Sequence, residues 1–279
     1  MNLPSFDEHW QAVERHYYHT VRVHDLGGGQ KEVLVLRGDV YQRPTPEFRT
    51  SYAEKSAEDQ RADSIDRAAR RAKCEVRRRC KAMGMDSLLT LTYKANQTDE
   101  ALCKEHMKEF VRRIRRVIPV FLYVAAFERQ ERGAWHIHMA VRRVQSHFMD
   151  RGVRVKSFEL IRAIWRSVVG ELGGNIDLQR KKANARKTVA QLAAYLSKYM
   201  VKAYADGEFG SQRWTASRFK VPKAARFWIN HENIKDIIAR LVAEHAPAGT
   251  QIRCCLIGHS YERGFFMTVE PSSPSLSSA

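Results

Sequence analysis

The sequence predicts an α+β fold: a central antiparallel sheet with helices packed on it, mainly on one side, preceded by a basic helical region. Two observations carry this. Between Leu88 and Tyr204, strand-like and helix-like runs follow one another in the order β-α-β-β-α-β-α, the order of a ferredoxin-like layer. The middle two strands are separated only by Glu131-Arg132-Gly133, a length and composition suited to a three-residue hairpin with Gly in the left-handed position. With 279 residues, 44% of them hydrophobic, the chain can build a packed core, which excludes wholesale disorder and fibrous repeats.

In chain order, residues 1–54 mix aromatics, prolines and the loop Gly27-Gly28-Gly29, and read as an entry segment with one or two strands around Glu32 to Arg37. From Ala53 to Met83 no Pro or Gly interrupts a long helix, polar nearly all round, with nine basic residues against three acidic ones between Arg61 and Lys81. A solvated helix and a DNA-backbone contact explain that charge equally well. LLTLTY (Leu88 to Tyr93) is a β-rich run, Thr98 is placed to cap a helix through Ile118, and Phe121 to Gln130 and Ala134 to Val141 are two further strands. A helix over Ser157 to Val169, stopped by Gly170, precedes a short strand at Asn175 to Gln179. A basic linker, RKKANARK, then leads to a helix from Thr188 to Tyr204, and PSSPSLSSA reads as a disordered tail. The expected division is 1–86, an N-terminal segment with the basic helix; 87–230, the principal α+β domain; and 231–279, a helix and strand extension with the tail.

The 48 Lys and Arg against 31 Asp and Glu give a net charge of +17, which points to a polyanionic partner, because neutralising phosphates releases counterions. The longest uncharged apolar run, Val117 to Phe127, contains Pro119 and falls short of the roughly 20 residues a membrane helix needs. The first residues lack the pattern of a secretory signal, and the five cysteines form no CxxC pair, so a reducing cytoplasm is the expected location and no membrane is an expected partner. Cys74 and Cys80 would lie on nearly opposite faces of their helix, a poor arrangement for metal ligands.

The chemistry concentrates at the hairpin and the last helix. If Gln130 pairs with Ala134, Glu128 falls opposite His136, and His138 shares that face two residues on. Glu128, His136 and His138 would then converge as ligands of one divalent metal, with open positions for a substrate oxygen. Histidines alternating on a strand are also common as half-buried residues, and a one-residue slip would turn Glu128 away. On the helix, Val189, Leu192, Leu196 and Met200 form an apolar stripe facing the sheet; Tyr195 and Tyr199 share a second face bordering it, and Lys198 and Lys202 a third. Phenols beside ammonium groups suit phosphoryl transfer: a tyrosine oxygen attacks phosphorus at a metal-polarised phosphate, with Lys198 as helper. An amphipathic helix whose tyrosines border the core is the plainer reading of YLSKYMVK alone.

Taken in order, LLTLTY, then WHIHMAV with Glu128 eight residues before His136, then AYLSKYMVK, resemble the three motifs of the HUH endonuclease superfamily. Y-x-x-K-Y-x-x-K looks like the tyrosine motif of its two-tyrosine rolling-circle replication initiators, the gene A type proteins of single-stranded DNA phages and related filamentous-phage and prophage proteins. The likeness spans Leu88 to Tyr204. It implies an HUH-type, RRM-like layer, and a nickase and strand transferase that stays joined to the 5′ end of the cut strand through phosphotyrosine and leaves a 3′-hydroxyl primer. By the same resemblance His136, His138 and Glu128 hold Mg²⁺ or Mn²⁺, Tyr195 and Tyr199 are the nucleophiles, and Lys198 assists them. Tyr195 is the safer nucleophile, since single-tyrosine members keep only Y-x-x-K. The missing third histidine argues against conjugative mobilisation.

The implied partners are single-stranded DNA and an origin duplex in a bacterial host cell, and, as no P-loop motif occurs, a host helicase and DNA polymerase. Arg180, Lys181, Lys182, Arg186 and Lys187 of the linker, with Lys202, are placed to bind the strand being cut. Arg213, Trp214 and Arg218 open a segment, through Trp228, that interleaves bases with aromatics and suits stacking on unpaired bases, although core packing explains some of those aromatics as well. A non-catalytic nucleic-acid binder of RRM-like fold and an HUH transposase are the competing readings.

Overall fold

The computed structural model describes residues 18–38, 56–142, 144–150, 152–180, 189–205, 212–229, 233–256 and 264–272; at 18, 38, 150, 180, 190, 198, 200–205 and 254–256 it describes backbone alone. The described residues form two compact units, one from 18–25, 29–38 and 223–272, the other from 26–28 and 56–222.

The second unit holds α1 (Ala57–Ala82), β3 (Ser87–Tyr93), α2 (Glu100–Ile114), β4 (Tyr123–Arg129), β5 (Trp135–Val141), a small hairpin β6 (His147–Asp150) and β7 (Val153–Lys156), α3 (Ser157–Val169), β8 (Gly174–Arg180), α4 (Val189–Ala205) and β9 (Trp214–Ala216). Its sheet runs β8-β3-β5-β4-β9, every neighbouring pair antiparallel, as the α+β reading expects. Alternation sends Leu89, Leu91, Phe127, Ile137 and Met139 to one face, where they pack with Met107, Phe110 and Ile114 of α2 and Ile161 and Trp165 of α3. Trp165 Nε1 donates to the Thr92 carbonyl at 2.9 Å, fixing α3 on the sheet.

Helices cover both faces, where the sequence reading placed them mainly on one. The second face presents Val124, Ala126 and Ala140 to Val76 and Cys80 of α1 and to Ala193 and Leu196 of α4. In α1, Ala69, Ala72, Val76 and Cys80 recur every three or four residues and are buried. That narrow stripe of small residues hides within a strongly basic sequence, so the helix reads as polar all round although it packs.

Other boundaries moved for local reasons. Asp99, rather than Thr98, caps α2, its carboxylate accepting from the Ala101 and Leu102 N–H groups at 2.8 and 3.1 Å. The helix ends at Ile114 rather than Ile118, Arg116 N–H and Val117 N–H turning to the carbonyls of Arg113 and Ile114. α3 runs from Ser157 to Val169 as expected, and Gly170 takes a φ of 57° that glycine alone adopts freely.

The first unit is a second antiparallel sheet, ordered β10-β1-β2-β12-β11, with β1 (Tyr18–Asp25), β2 (Lys31–Gly38), β10 (Ala225–Ile229), β11 (Thr250–Leu256) and β12 (Gly264–Pro271). Helix α5 (Ile234–His245) packs Ile237 and Leu241 against Val21, Val33, Val35 and Met267 on one face. Chain segments from both ends of the sequence therefore share one sheet. The expected tail falls mostly outside the described residues.

Candidate metal and tyrosine site

The hairpin between β4 and β5 sets the site. Gln130 N–H donates to the Ala134 carbonyl and Gly133 N–H to the Gln130 carbonyl, both at 2.8 Å, with Gly133 at φ 85°. This three-residue turn fixes the register that pairs Glu128 with His136 and Ala126 with His138. Glu128, His136 and His138 thereby share the second face of the sheet, and one ligand atom from each lies within 4.8 Å of the others.

Each histidine is held from behind. Thr90, the cross-strand partner of His138, places Oγ1 3.3 Å from its Nδ1. The His138 Nε2 is 2.6 Å from Glu128 Oε2, and both side chains are buried. The Gln130 amide meets His136 Nδ1 at 3.0 Å, while His136 Nε2 is buried with no hydrogen-bond partner. A half-turn of that amide presents Oε1 instead, so that Nδ1 carries the proton and the Nε2 lone pair is free for a metal. Burial foremost, then neighbouring His138 and Arg132, lowers the His136 pKa despite the opposing pull of Glu128, favouring the neutral imidazole that metals bind. Two imidazoles and one carboxylate, with an orphaned nitrogen among them, fit a divalent cation.

Helix α4 lays its tyrosines over this cluster. Ala193 and Leu196 are fully buried against the sheet, and this anchors the face carrying Tyr195 and Tyr199. The Tyr199 ring stacks on the His138 imidazole, centroids 3.9 Å apart and planes 9° from parallel. Its hydroxyl donates to the Tyr195 oxygen at 2.7 Å, and the two phenol rings meet edge to face. Burial, the Tyr195 hydroxyl and the Glu128 charge all raise the Tyr199 pKa, which keeps it a donor. Tyr195, 44% exposed, is the phenol that solvent or a substrate can reach.

The other expected contacts divide. Arg213 is buried, 3.9 Å from Glu100, and its carbonyl accepts from Phe127 N–H, so it braces β9 against β4 and is turned away from solvent. Trp214 pairs with Ala126 on the site's face and is half-buried under the Arg79 guanidinium, 5.7 Å from the ring centroid. Arg218 is exposed. Lys181, Lys182, Arg186, Lys187 and the capping Thr188 lie outside the described residues, as do the side chains of Arg180, Lys198, Lys202 and Tyr204. Sequence reasoning misses Thr90 and Gln130; their signal is the register itself, which puts both within reach of a histidine ring.

Residues 86–204 match the model of a family of replication-associated proteins, the ORF2 and gene II protein type. The match covers under half the chain but runs from β3 to α4 and contains Glu128, both histidines and both tyrosines. It supports a replication-related role and interaction with DNA. No curated protein and no solved structure matches the chain. Among the described residues no helix is long and apolar enough to cross a membrane.

Proposed function

We propose that the protein is a rolling-circle replication initiator, a metal-dependent HUH-type nickase and strand transferase acting on single-stranded DNA at a phage, prophage or plasmid origin. The observation that carries this reading is the stack of Tyr199 on His138, which sets a hydrogen-bonded tyrosine pair directly over a three-ligand cluster. A nucleic-acid binder needs no such constellation.

Glu128, His136 and His138 would hold Mg²⁺ or Mn²⁺, which supplies a Lewis acid for the scissile phosphate. The remaining work falls to the protein. Tyr195, the exposed phenol, attacks phosphorus with its oxygen; the P–O3′ bond breaks, the departing oxygen takes up a proton as the 3′-hydroxyl, and the 5′-phosphate stays on the tyrosine. Tyr199 donates its hydroxyl hydrogen bond to the Tyr195 oxygen, which stabilises the phenolate before attack. Reversal with an incoming 3′-hydroxyl rejoins the strand, and Lys198 steadies the charge on the phosphate.

The basic row Arg180, Lys181, Lys182, Arg186, Lys187 and Lys202, with exposed Arg218, holds the backbone of that strand; α1, packed beside α4, adds Arg67, Arg70 and Arg71 on its exposed side. Unwinding and synthesis come from a host helicase and polymerase in the bacterial cytoplasm.

The test is to incubate the protein with a labelled single-stranded oligonucleotide pool and Mn²⁺ and to look for an adduct that survives a denaturing gel. The expected result is an adduct lost in Tyr195→Phe and in His136→Ala. Tight binding with no adduct on any sequence would replace this reading with the non-catalytic binder.

A further inference from the structure

The first unit carries a second feature suited to nucleic acid, remote in the fold from the metal ligands. Its sheet ends on β10, an edge strand paired only to β1. Phe227 and Ile229 of β10 turn inward and pack on the core with α5. Alternation therefore turns Arg226 and Trp228 to the opposite face. Trp228 is 52% exposed, more than any other aromatic side chain among the described residues. An indole spent this way contributes little to folding, since its apolar area stays in water.

The register surrounds it with positive charge. Arg22 of β1 is the cross-strand partner of Arg226, and Thr20 the partner of Trp228. Like charges directly opposite on paired strands repel. Neither arginine has an ion-pair partner among the described residues, and the Arg22 Nε is buried with no acceptor. Exposed Lys223 leads into the same strand. A lone exposed indole flanked by uncompensated guanidinium groups matches what unpaired nucleotides need: a π-surface for a base and donors for its phosphates.

We propose that the corner of β10 and β1 formed by Trp228, Arg226 and Arg22 is a docking platform for single-stranded DNA, the indole stacking on a base and the guanidiniums holding the adjoining phosphates. The choice of DNA as occupant rests on the replication reading and on charge complementarity; the platform itself needs neither the metal nor the tyrosines.

The test uses the full-length protein in EDTA, so that no cutting intervenes, with a fluorescein-labelled oligothymidylate followed by anisotropy. Trp228→Ala should bind about tenfold more weakly, as expected for loss of one stacked base, and Trp228→Phe should recover most of that. Arg226→Gln should lower the slope of log affinity against log salt by roughly 0.7, one phosphate contact on a single strand. Unchanged affinity in both Trp228→Ala and Arg226→Gln, with unchanged melting temperature, would overturn the proposal. So would an effect confined to oligouridylate, or one confined to self-association seen by light scattering. Should Trp228→Ala melt early, Trp228→Phe and Arg226→Gln still decide. Adduct formation with Mn²⁺ is scored separately: its failure would remove the nickase reading and leave the platform standing on the binding data.

Discussion

His138 and His136 each have Nδ1 engaged by a neighbour, Thr90 in one case and Gln130 in the other, so both rings are oriented before any ion arrives. Such supporting contacts typically govern metal affinity by 10- to 100-fold. Thr90→Val, which keeps the shape and removes the hydroxyl, should therefore weaken Mn²⁺ binding at least about tenfold by calorimetry without altering the fold; unchanged affinity would mean that Thr90 plays no part in holding the ligand. The tyrosines are unequal in the same way. Tyr199→Phe deletes the hydrogen bond to Tyr195 but keeps the ring on His138, and should slow adduct formation by roughly tenfold or more, the usual cost of a lost hydrogen bond to a charged oxygen. The reverse hierarchy, with Tyr195→Phe mild and Tyr199→Phe inactive, would reassign the nucleophile. Much of this was legible in the sequence. The Glu131-Arg132-Gly133 loop specified the register that puts Glu128 opposite His136, and helical spacing put the two phenols on one face. What spacing could not give was the sideways rotation of α4 that lays Tyr199 flat on His138, because that depends on how Ala193 and Leu196 seat against β4 and β5.

Among the elements, α4 is held by few large side chains, and Leu196 is the fully buried one. Leu196→Ala should cost about 2–5 kcal/mol and reduce adduct formation along with melting temperature, since the tyrosine face moves with the helix. The junction of α3 and β8 is tight: a Cβ on Gly174 would come within 2.6 Å of the Trp165 ring, whose Nε1 is committed to the Thr92 carbonyl. Gly174→Ala should therefore destabilise by about 1–3 kcal/mol, visible as a lowered melting temperature. On α2, hydrogen bonds from Arg112 and Arg113 hold the Glu109 carboxyl at a pKa of about 2, below its ordinary 4.5. A depressed carboxylate stabilises the folded state above its unfolded pKa, and that contribution is lost as pH falls from 4.5 towards about 2. Glu109→Gln should flatten the acid limb of the stability curve in that window and leave neutral pH little changed. The basic helix α1 was the element the sequence concealed, because its buried stripe consists of alanines, one valine and one cysteine set among arginines.

At the scale of the whole molecule, the second sheet was the least legible part. β1 pairs with β10 and β2 with β12, partners some two hundred residues apart, and no local periodicity reports a pairing at that separation. Within the second unit the strands are joined by short loops and helices, so their order could be read from the chain. Charge, by contrast, is a property of the whole and needed no fold: at +17 the affinity for single-stranded DNA should fall steeply and linearly with salt on logarithmic axes, and a flat response would exclude phosphate contacts as its source. The central claim is that the phenol of Tyr195 carries the DNA. It is tested most directly by forming the adduct with Mn²⁺, digesting both polymers and locating the phosphonucleotide on the tyrosine helix by tandem mass spectrometry. The account predicts the modification on Tyr195; a modification on Tyr199 alone, or on a residue outside α4, would contradict it.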